Sequence, residues 1–407
     1  MSRETEPAAA GSGPAGMSAA TRVTLFMSVC YCGLGAILPY LPVWLEEAKG
    51  LSGAEIGLVL ASANIARVVI GPMTAAWADG LADRRTPLIV LAIIALAAYG
   101  LMGPLTGFAA LFVVGFVAGV VYQGMIPFVE AAALRATLTG RPSYGVARAL
   151  ASGLFIVGNL GAGALMQAFG PWAAYGWIAV SCLVLALAGG LLPREPVAAG
   201  AAPASFRTRL KDALGLVKAP GFLLLMIGGG LIQAAHAFYY GFSSLVWIDQ
   251  GIAAGWVGAL WGWGVAVEII FLATSAKWLM RVKPEYLLLA GGVAAVVRWT
   301  VYAFSPPVWL LIPLQATHAM TFAATHLGAM RMIQRQFGLE GGPTAQTIYA
   351  SLAMAPALGL ATLASGWLYD AVGAQGYAAM AAMAAIGLAA VVVLARRAGP
   401  AAVTAPA

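Results

Sequence analysis

Ionisable side chains interrupt the long apolar segments of this 407-residue chain. A charge inside such a segment is expensive when the segment lies in hydrocarbon, about 2.5–3.5 kcal/mol by the lower estimates, so each residue that bears this cost is a candidate for function. A guanidinium group there can hold an anion, and a carboxylate or imidazole can carry a proton. The interior set comprises Arg67, Glu130, Arg148, Glu268, Arg298, His236, His318 and His326.

The charges of this interior set do not balance, because three guanidinium groups face two carboxylates. The imbalance predicts either an anionic ligand or a site that takes up a proton. Histidine titrates near neutral pH, which suits a residue that orients an anion or passes a proton. His236 and His318 have polar and aromatic sequence neighbours and are the favoured candidates. A buried histidine satisfied by one hydrogen bond is the structural alternative for each.

Spacing along the chain indicates how these charges could meet. Glu130 and Arg148 lie near the ends of consecutive apolar segments, so they can form a pair within the first half of the chain. Glu268 and Arg298 are the matching candidates in the second half. Arg67 occupies the position in the first half that Glu268 occupies in the second, and the two could pair across the interface. Fixed ion pairs that set helix packing are the alternative to ligand-binding pairs.

Other kinds of chemistry are not indicated. The chain has no phosphate-binding loop of the Walker type and no metal-ligand spacing among its histidines and cysteines. Cys30, Cys32 and Cys182 lie within apolar runs, where cysteine behaves as a small core residue. We therefore expect no catalytic residue, no metal and no cofactor, and we do not expect an enzyme.

Long apolar helices must position the interior residues. Apolar residues make up 61% of the chain and charged residues 9%, whereas soluble domains carry about 25% charged residues. The mean hydropathy is +0.88. About 20 helical residues cross a bilayer. The pattern predicts an all-α membrane protein with twelve spans, at 22–46, 55–77, 87–106, 108–134, 143–168, 171–192, 220–249, 254–276, 285–305, 307–335, 343–369 and 374–396.

Basic residues recur in every second connection, from 84–85 to 396–397, while the opposite connections contain only Lys49. Such an excess is typical of the cytoplasmic side of a membrane. It predicts a multi-pass protein of the inner membrane with both termini in the cytoplasm. The net charge of +7 then follows from the topology of the protein in the lipid bilayer and does not indicate nucleic-acid binding.

A polar stretch near the middle of the chain divides the spans into two sets of six. We predict a disordered cytoplasmic N-terminus at 1–21, six-helix bundles at 22–192 and 220–396, a cytoplasmic linker at 193–219 and a cytoplasmic tail at 397–407.

Two pairs of short similar segments indicate that the two bundles are pseudo-repeats. Leu51–Gly57 resembles Ile252–Gly258, and Gly163–Gly170 resembles Gly366–Gly373 at nearly the same separation. Repeated halves are the plan of many secondary transporters, whose substrate site lies at the repeat interface near the midplane.

Several motifs resemble the major facilitator superfamily and, within it, the phenylpropionate permease group, which is related to lactose permease. The resemblance covers nearly all of residues 22–396. The segments that carry it are Leu38–Trp44, Ser143–Arg148, Gln233–Tyr240, Val265–Glu268 and His318–His326.

The resemblance implies roles for the interior charges. Glu130 and Arg148 match the sugar-binding carboxylate and arginine of lactose permease, with the same spacing. Glu268, Arg298 and His318 match its carboxylate, arginine and histidine of the eighth, ninth and tenth spans.

Two departures from lactose permease argue against a sugar substrate and an identical proton route. Phe155 replaces the tryptophan that stacks on the sugar, and Thr321 replaces the proton-coupling carboxylate. A coupled proton would then be carried by Glu130, Glu268 or a histidine. The superfamily signature after the second span is degenerate, but it implies a cytoplasmic gate formed by Asp79 with Arg84 and Arg85.

Together these observations predict a proton symporter that imports a small organic acid, such as 3-phenylpropionate, by alternating access. Arg148, Arg298 or Arg67 would hold the carboxylate, and the resemblance implies a monomer. A nucleoside or saccharide carrier, or an exporter of the same architecture, is the alternative. A membrane sensor or scaffold that binds without transport is a more remote one. The residues predicted to contact the substrate are Glu130, Arg148, Phe155, His236, Tyr240, Arg298 and His318, and those predicted to couple protons are Glu130, Glu268 and His318.

Overall fold

The computed structural model describes residues 16–138, 140–196, 215–216, 218–219 and 221–397. The predicted disordered terminus up to residue 15, the linker residues 197–214 and the tail from residue 398 lie outside these ranges. The described residues are helical apart from short connections and one isolated bridge between Asp83 and Pro196.

Six helices form the first half of the described chain. They are α1 (Ala19–Glu47), α2 (Gly53–Asp79), α3 (Thr86–Met102), α4 (Phe108–Leu138), α5 (Tyr144–Phe169) and α6 (Pro171–Ala188).

Local sequence explains several of the boundaries in this half. Ser52 and Glu55 form a reciprocal capping box at the start of α2. Gly170, with φ of 81°, separates α5 from α6, because glycine accepts this backbone conformation without a steric penalty.

The second half contains shorter helices because several of its spans are interrupted. They are α7 (Phe222–Ala234), α8 (Ala237–Asp249), α9 (Ala254–Leu279), α10 (Pro284–Tyr302), α11 (Val308–Ala316), α12 (Thr325–Ile348), α13 (Ala355–Val372) and α14 (Tyr377–Arg397). Two π-helical turns, Ala319–Ala324 and Tyr349–Met354, join α11 to α12 and α12 to α13.

These helices match the predicted twelve-span fold. Eight helical stretches of the described chain are long and apolar enough to cross a membrane, and α3 is a shorter apolar helix. The seventh span, predicted as one helix at 220–249, is broken before His236 into α7 and α8. Gly338, with φ of 66°, separates the tenth and eleventh spans within α12. The tenth span contains the first π-helical turn, a feature frequent at functional sites.

The two halves cross each other at the similar segments of the pseudo-repeats. Gly57 of α2 packs on Gly366 of α13, where an added Cβ on Gly57 would lie 3.0 Å from the Gly366 Cα. In the matching pair, an added Cβ on Gly163 of α5 would lie 2.9 Å from the carbonyl oxygen of Ala254 at the start of α9. Small residues are required at both crossings because the backbones approach closely.

Side-chain oxygens cap helix starts across these crossings. The Asp370 carboxylate accepts hydrogen bonds from the backbone N–H groups of Gly53, at 2.7 Å, and Ala54, at 2.8 Å. Gln167, at the equivalent place on α5, accepts from the Gly255 N–H at 3.1 Å. An acceptor at a helix N-terminus satisfies an orphan donor and complements the helix dipole.

The inter-half hydrogen bonds of Asp370 and Gln167 lie at one end of the molecule. At the same end the Tyr40 hydroxyl donates to the Ala254 carbonyl, at 2.9 Å, and Tyr369 hydrogen-bonds to Glu46. Lys49 lies at this end, where its Nζ donates to the carbonyls of Gly103 and Leu105 at 2.6 and 2.8 Å. The halves are thus tied together at the end opposite to most of the basic connections.

The other end carries an ionic cluster that fixes the start of the linker. Arg135 pairs with Glu195 at 2.5 Å, and the Glu195 N–H donates to Asp83 at 3.1 Å. Burial alone would raise the pKa of Asp83, but hydrogen bonds from the backbone N–H groups of Glu195 and Arg85 and the Arg85 charge hold it below its ordinary value. The predicted gate joins Asp79 to Arg84 and Arg85. In the structure Arg85 pairs instead with Asp83 at 2.8 Å, and within the described part of the chain exposed Asp79 has no ion pair.

Replacing Asp370 with alanine removes both caps from the start of α2. Hydrogen bonds to a charged group contribute about 1.5–3 kcal/mol, so we expect the amides of Gly53 and Ala54 to exchange with deuterium at least about tenfold faster. Hydrogen-exchange mass spectrometry of the protein in lipid nanodiscs measures this change. Gln167→Ala is the matched control and should affect only the start of α9. Unchanged exchange at α2 in Asp370→Ala would contradict the capping role.

Candidate functional site

The first cluster of interior charges lies among α1, α4 and α5. The Arg148 guanidinium forms an ion pair with the Glu130 carboxylate, as the spacing predicted. The hydroxyls of Tyr31 and Tyr144 donate to the two oxygens of Glu130, each at 2.5 Å. The guanidinium also lies 4.7 Å from the centre of the Tyr31 ring, a cation–π distance. With Arg148 44% exposed, this pair is accessible to a ligand.

The second cluster centres on Arg298 of α10, which is fully buried. Its guanidinium donates to the Gln315 side-chain carbonyl and, at 3.2 Å, to the Thr321 hydroxyl. Aromatic rings surround it, since its Cζ lies 4.9 Å from the Tyr239 ring centre and 4.6 Å from that of Trp299. Neutral groups therefore provide most of the contacts of this buried cation.

Gln315 organises the surroundings of Arg298. Its side-chain carbonyl also accepts from the Tyr302 hydroxyl at 2.9 Å, and its Nε2 donates to the Leu260 carbonyl at 2.9 Å and to the Tyr239 hydroxyl at 3.0 Å. The sequence marked Gln315 only as a polar neighbour of His318. A glutamine with both ends of its amide satisfied holds α11 to α8, α9 and α10.

His318 connects Arg298 to Glu268. Its Nδ1 lies 3.3 Å from the Arg298 Nη1 and its Nε2 lies 3.4 Å from a Glu268 carboxylate oxygen. Arginine can only donate, so Nδ1 must accept and the proton of neutral His318 resides on Nε2, directed at Glu268. The predicted direct pair of Glu268 with Arg298 is therefore wrong. The histidine, directly before the π-helical turn, bridges Glu268 of α9 and Arg298 of α10.

His236 lies at the break between α7 and α8, and it is fully buried. Its Nδ1 donates to the Gln233 carbonyl at 3.0 Å, so its Nε2 accepts from the Thr321 hydroxyl at 3.0 Å. Thr321 in turn receives the Arg298 N–H. Half-buried Tyr240 stacks on the imidazole with ring centres 5.6 Å apart. Thr321 thus links His236 and Arg298 by hydrogen bonds.

Other predicted site residues lie apart from these clusters. Arg67 is part-buried on α2, and the predicted pair with Glu268 is not formed. Phe155 is 7% exposed and packs in the core of the first half. Tyr31 and Tyr144 were missed by sequence reasoning, although Tyr144 lies within the motif that ends at Arg148.

Comparisons with known proteins agree on one family. The sequence profile of the MFS_1 like family matches residues 20–378. The chain is 30% identical over 345 residues to the "Probable 3-phenylpropionic acid transporter" of Escherichia coli (strain K12), covering 83% of this chain and 88% of that protein. It is 25% identical over 352 residues to the "Maltose permease" of Geobacillus stearothermophilus, covering 85% and 86%.

Solved structures show the same fold. The crystal structure of the nucleoside transporter NupG superimposes with a TM-score of 0.77 at 18% identity, covering 93% of this chain and 100% of that one. A bacterial homologue of the human lysosomal transporter Spinster, in an inward-facing and unoccupied conformation, gives a TM-score of 0.70 at 15% identity, covering 93% and 96%.

Replacing Gln315 with alanine tests the organisation of the second cluster. The change removes the carbonyl that accepts from Arg298 and from the Tyr302 hydroxyl. It also removes the amide that donates to the Tyr239 hydroxyl. Loss of a hydrogen bond to a charged group costs about 1.5–3 kcal/mol, so the melting temperature in detergent should fall by several degrees. Gln334→Ala, at an exposed site on α12, is the control and should melt like the unmodified protein. Equal melting temperatures for both variants would refute this role.

Proposed function

The chain belongs to the MFS_1 like family of the major facilitator superfamily, and on this premise we propose that it is a proton-coupled symporter for a small organic acid. Members of this superfamily are multi-pass membrane transporters of small molecules. The observation that carries the proposal of proton coupling is the hydrogen-bonded chain Arg298–His318–Glu268.

Glu268 is the proposed proton acceptor. The imidazole of His318 is already neutral with its Nδ1 occupied by an Arg298 N–H, so a proton added there would set two donors against each other. A proton added to the Glu268 carboxylate meets no such conflict. This proton removes the negative charge of Glu268, which His318 connects to the positive charge of Arg298.

Loss of that negative charge provides the coupling. With Glu268 protonated, the interior carries a larger excess of positive charge, and an anion binds more favourably. Linkage requires the reciprocal effect, so a bound anion favours protonation of Glu268. Proton and carboxylate therefore enter together, and neither crosses the low-dielectric interior as an uncompensated charge.

The way the halves meet supports alternating access. The excess of basic residues supports a cytoplasmic location for the end that carries Arg85 and Arg335. The inter-half caps by Asp370 and Gln167 then close the opposite, outer end. In this conformation the site would open towards the cytoplasm, and rocking of the bundles at 22–192 and 220–396 would expose it to the other side. The protein would act as a monomer in the inner membrane.

An aromatic acid such as 3-phenylpropionate is the proposed substrate. The name of the 30% identical relative supports it, as do the aromatic side chains around both clusters. Phe155 in place of a sugar-stacking tryptophan argues against a saccharide. A saccharide carrier is nevertheless the second candidate, because the accessible Glu130–Arg148 pair is suited to bind hydroxyl groups and the relative from Geobacillus stearothermophilus is named a maltose permease.

Uptake of labelled 3-phenylpropionate into proteoliposomes with an imposed inward proton gradient tests the proposal. We expect accumulation that a protonophore abolishes. Glu268→Gln should lose accumulation at least about tenfold, because it cannot take up the coupled proton, yet retain exchange of internal for external substrate, which needs no net proton movement.

Glu47→Gln, at an exposed carboxylate at the end of α1, is the control and should accumulate substrate normally. Accumulation by Glu268→Gln at the level of the control would refute Glu268 as the proton carrier. Uptake of a sugar from a panel, with no uptake of any carboxylic acid, would leave the transporter fold intact and exclude the proposed substrate.

A further inference from the structure

Arg67 lies on the face of α2 that is directed towards the second half. Helical residues advance by about 100° each, so residues seven apart share a face. Leu60, seven residues before Arg67, packs on α8, where an added Cβ on Gly241 would lie 3.5 Å from its Cδ1. On the opposite face of α2, Val69 and Met73 are each 64% exposed. Arg67 therefore points away from the outer surface and into the space between the halves.

Another helix packs beside the face of Arg67. Val59, about 80° from Arg67 around the helix, packs on α4, where an added Cβ on Gly115 would lie 2.8 Å from its Cγ1. Ile65, about 160° from Arg67, is 41% exposed and belongs with Val69 to the outer side of α2. Arg67 therefore lies on the side of α2 that other helices cover.

The interior charges leave Arg67 as the surplus cation. Arg148 is neutralised by direct contact with Glu130. Arg298 is connected to Glu268 through one histidine. In the parts of the chain that the structure describes, Arg67 has neither an ion pair nor a side-chain hydrogen bond. A part-buried guanidinium with five N–H donors and no acceptor is suited to receive an anion.

We propose that Arg67 is the specificity-determining residue that holds the carboxylate of the substrate, an inference that rests on the proposed function. Arg298 is fully buried and its two terminal nitrogens donate to Thr321 and Gln315, so a substrate cannot reach it without breaking that cluster. Arg148 is accessible but already neutralised by Glu130. Within the described ranges Arg67 alone of the three is neither fully buried nor paired with a carboxylate, so its whole planar fork can bind a carboxylate through two parallel hydrogen bonds.

The assignment predicts which ligands the site distinguishes. A carboxylate satisfies the charge of Arg67, whereas the corresponding amide has the same shape and no charge. The protein should therefore bind 3-phenylpropionate much more tightly than 3-phenylpropanamide, and this preference should depend on Arg67.

Binding of both compounds to the purified full-length protein, measured by isothermal titration calorimetry, tests the assignment. We expect Arg67→Gln to weaken binding of the acid at least about 30-fold and to leave binding of the amide within about threefold of the unmodified protein. Arg281→Gln, at an exposed arginine after α9, is the matched control and should bind both compounds normally. Size-exclusion chromatography and melting temperature establish that each variant is folded.

Arg67→Lys provides the second test if Arg67→Gln is not recovered as folded protein. Lysine keeps the charge but lacks the planar fork, so we expect acid binding to weaken about fivefold to tenfold with amide binding unchanged. Tight acid binding by both the unmodified protein and the Arg67 variants would overturn the role of Arg67 and leave the proposed substrate standing. Failure of the unmodified protein to bind any aromatic acid would overturn the proposed substrate itself, and the role of Arg67 with it.

Discussion

The burial of a charged side chain is the constraint on which this structure depends. Arg298 is fully buried, so every element near it supplies an acceptor or a ring face: α11 contributes Gln315, the π-helical turn contributes Thr321, and α8 and α10 contribute aromatic rings. A charge that cannot be hydrated must be satisfied by protein groups or be neutralised. The irregular parts of two spans take part in the cluster, because His236 at the break of the seventh span is hydrogen-bonded to Thr321 in the π-helical turn of the tenth.

Close backbone contact determines how the two halves meet. Small residues allow a short distance at both crossings, Gly57 with Gly366 between α2 and α13 and Gly163 with Ala254 between α5 and α9, and Asp370 and Gln167 then reach the free N–H groups at the helix starts. The two contacts are related by the pseudo-repeat, but one uses a carboxylate with two hydrogen bonds and the other an amide with one. Closure at this end therefore combines tight packing with a small number of polar contacts that can be broken and reformed.

The proposed transport cycle depends on the balance of the interior charges. One guanidinium is paired directly, a second is paired through a histidine, and Arg67 is left for an anion. Protonation of Glu268 and arrival of a carboxylate change the interior charge in opposite directions, so each favours the other. The unpaired positive charge supports an organic anion as the proposed class of substrate, and the name of the 30% identical relative supports an aromatic one.

Local sequence determined the spans, the division into two bundles and the list of interior charges, because hydropathy and the cost of burying charge act on each residue wherever its neighbours lie. It also predicted the contact of Glu130 with Arg148, since a short connection brings consecutive spans together. The tertiary structure alone decided that His318 stands between Glu268 and Arg298, that Gln315 organises the cluster, and that Arg67 and Glu268 are apart. These contacts depend on how each helix is rotated about its axis and on the π-helical turn of the tenth span. Both are set by packing between distant segments, and neither leaves a periodic signal in the sequence.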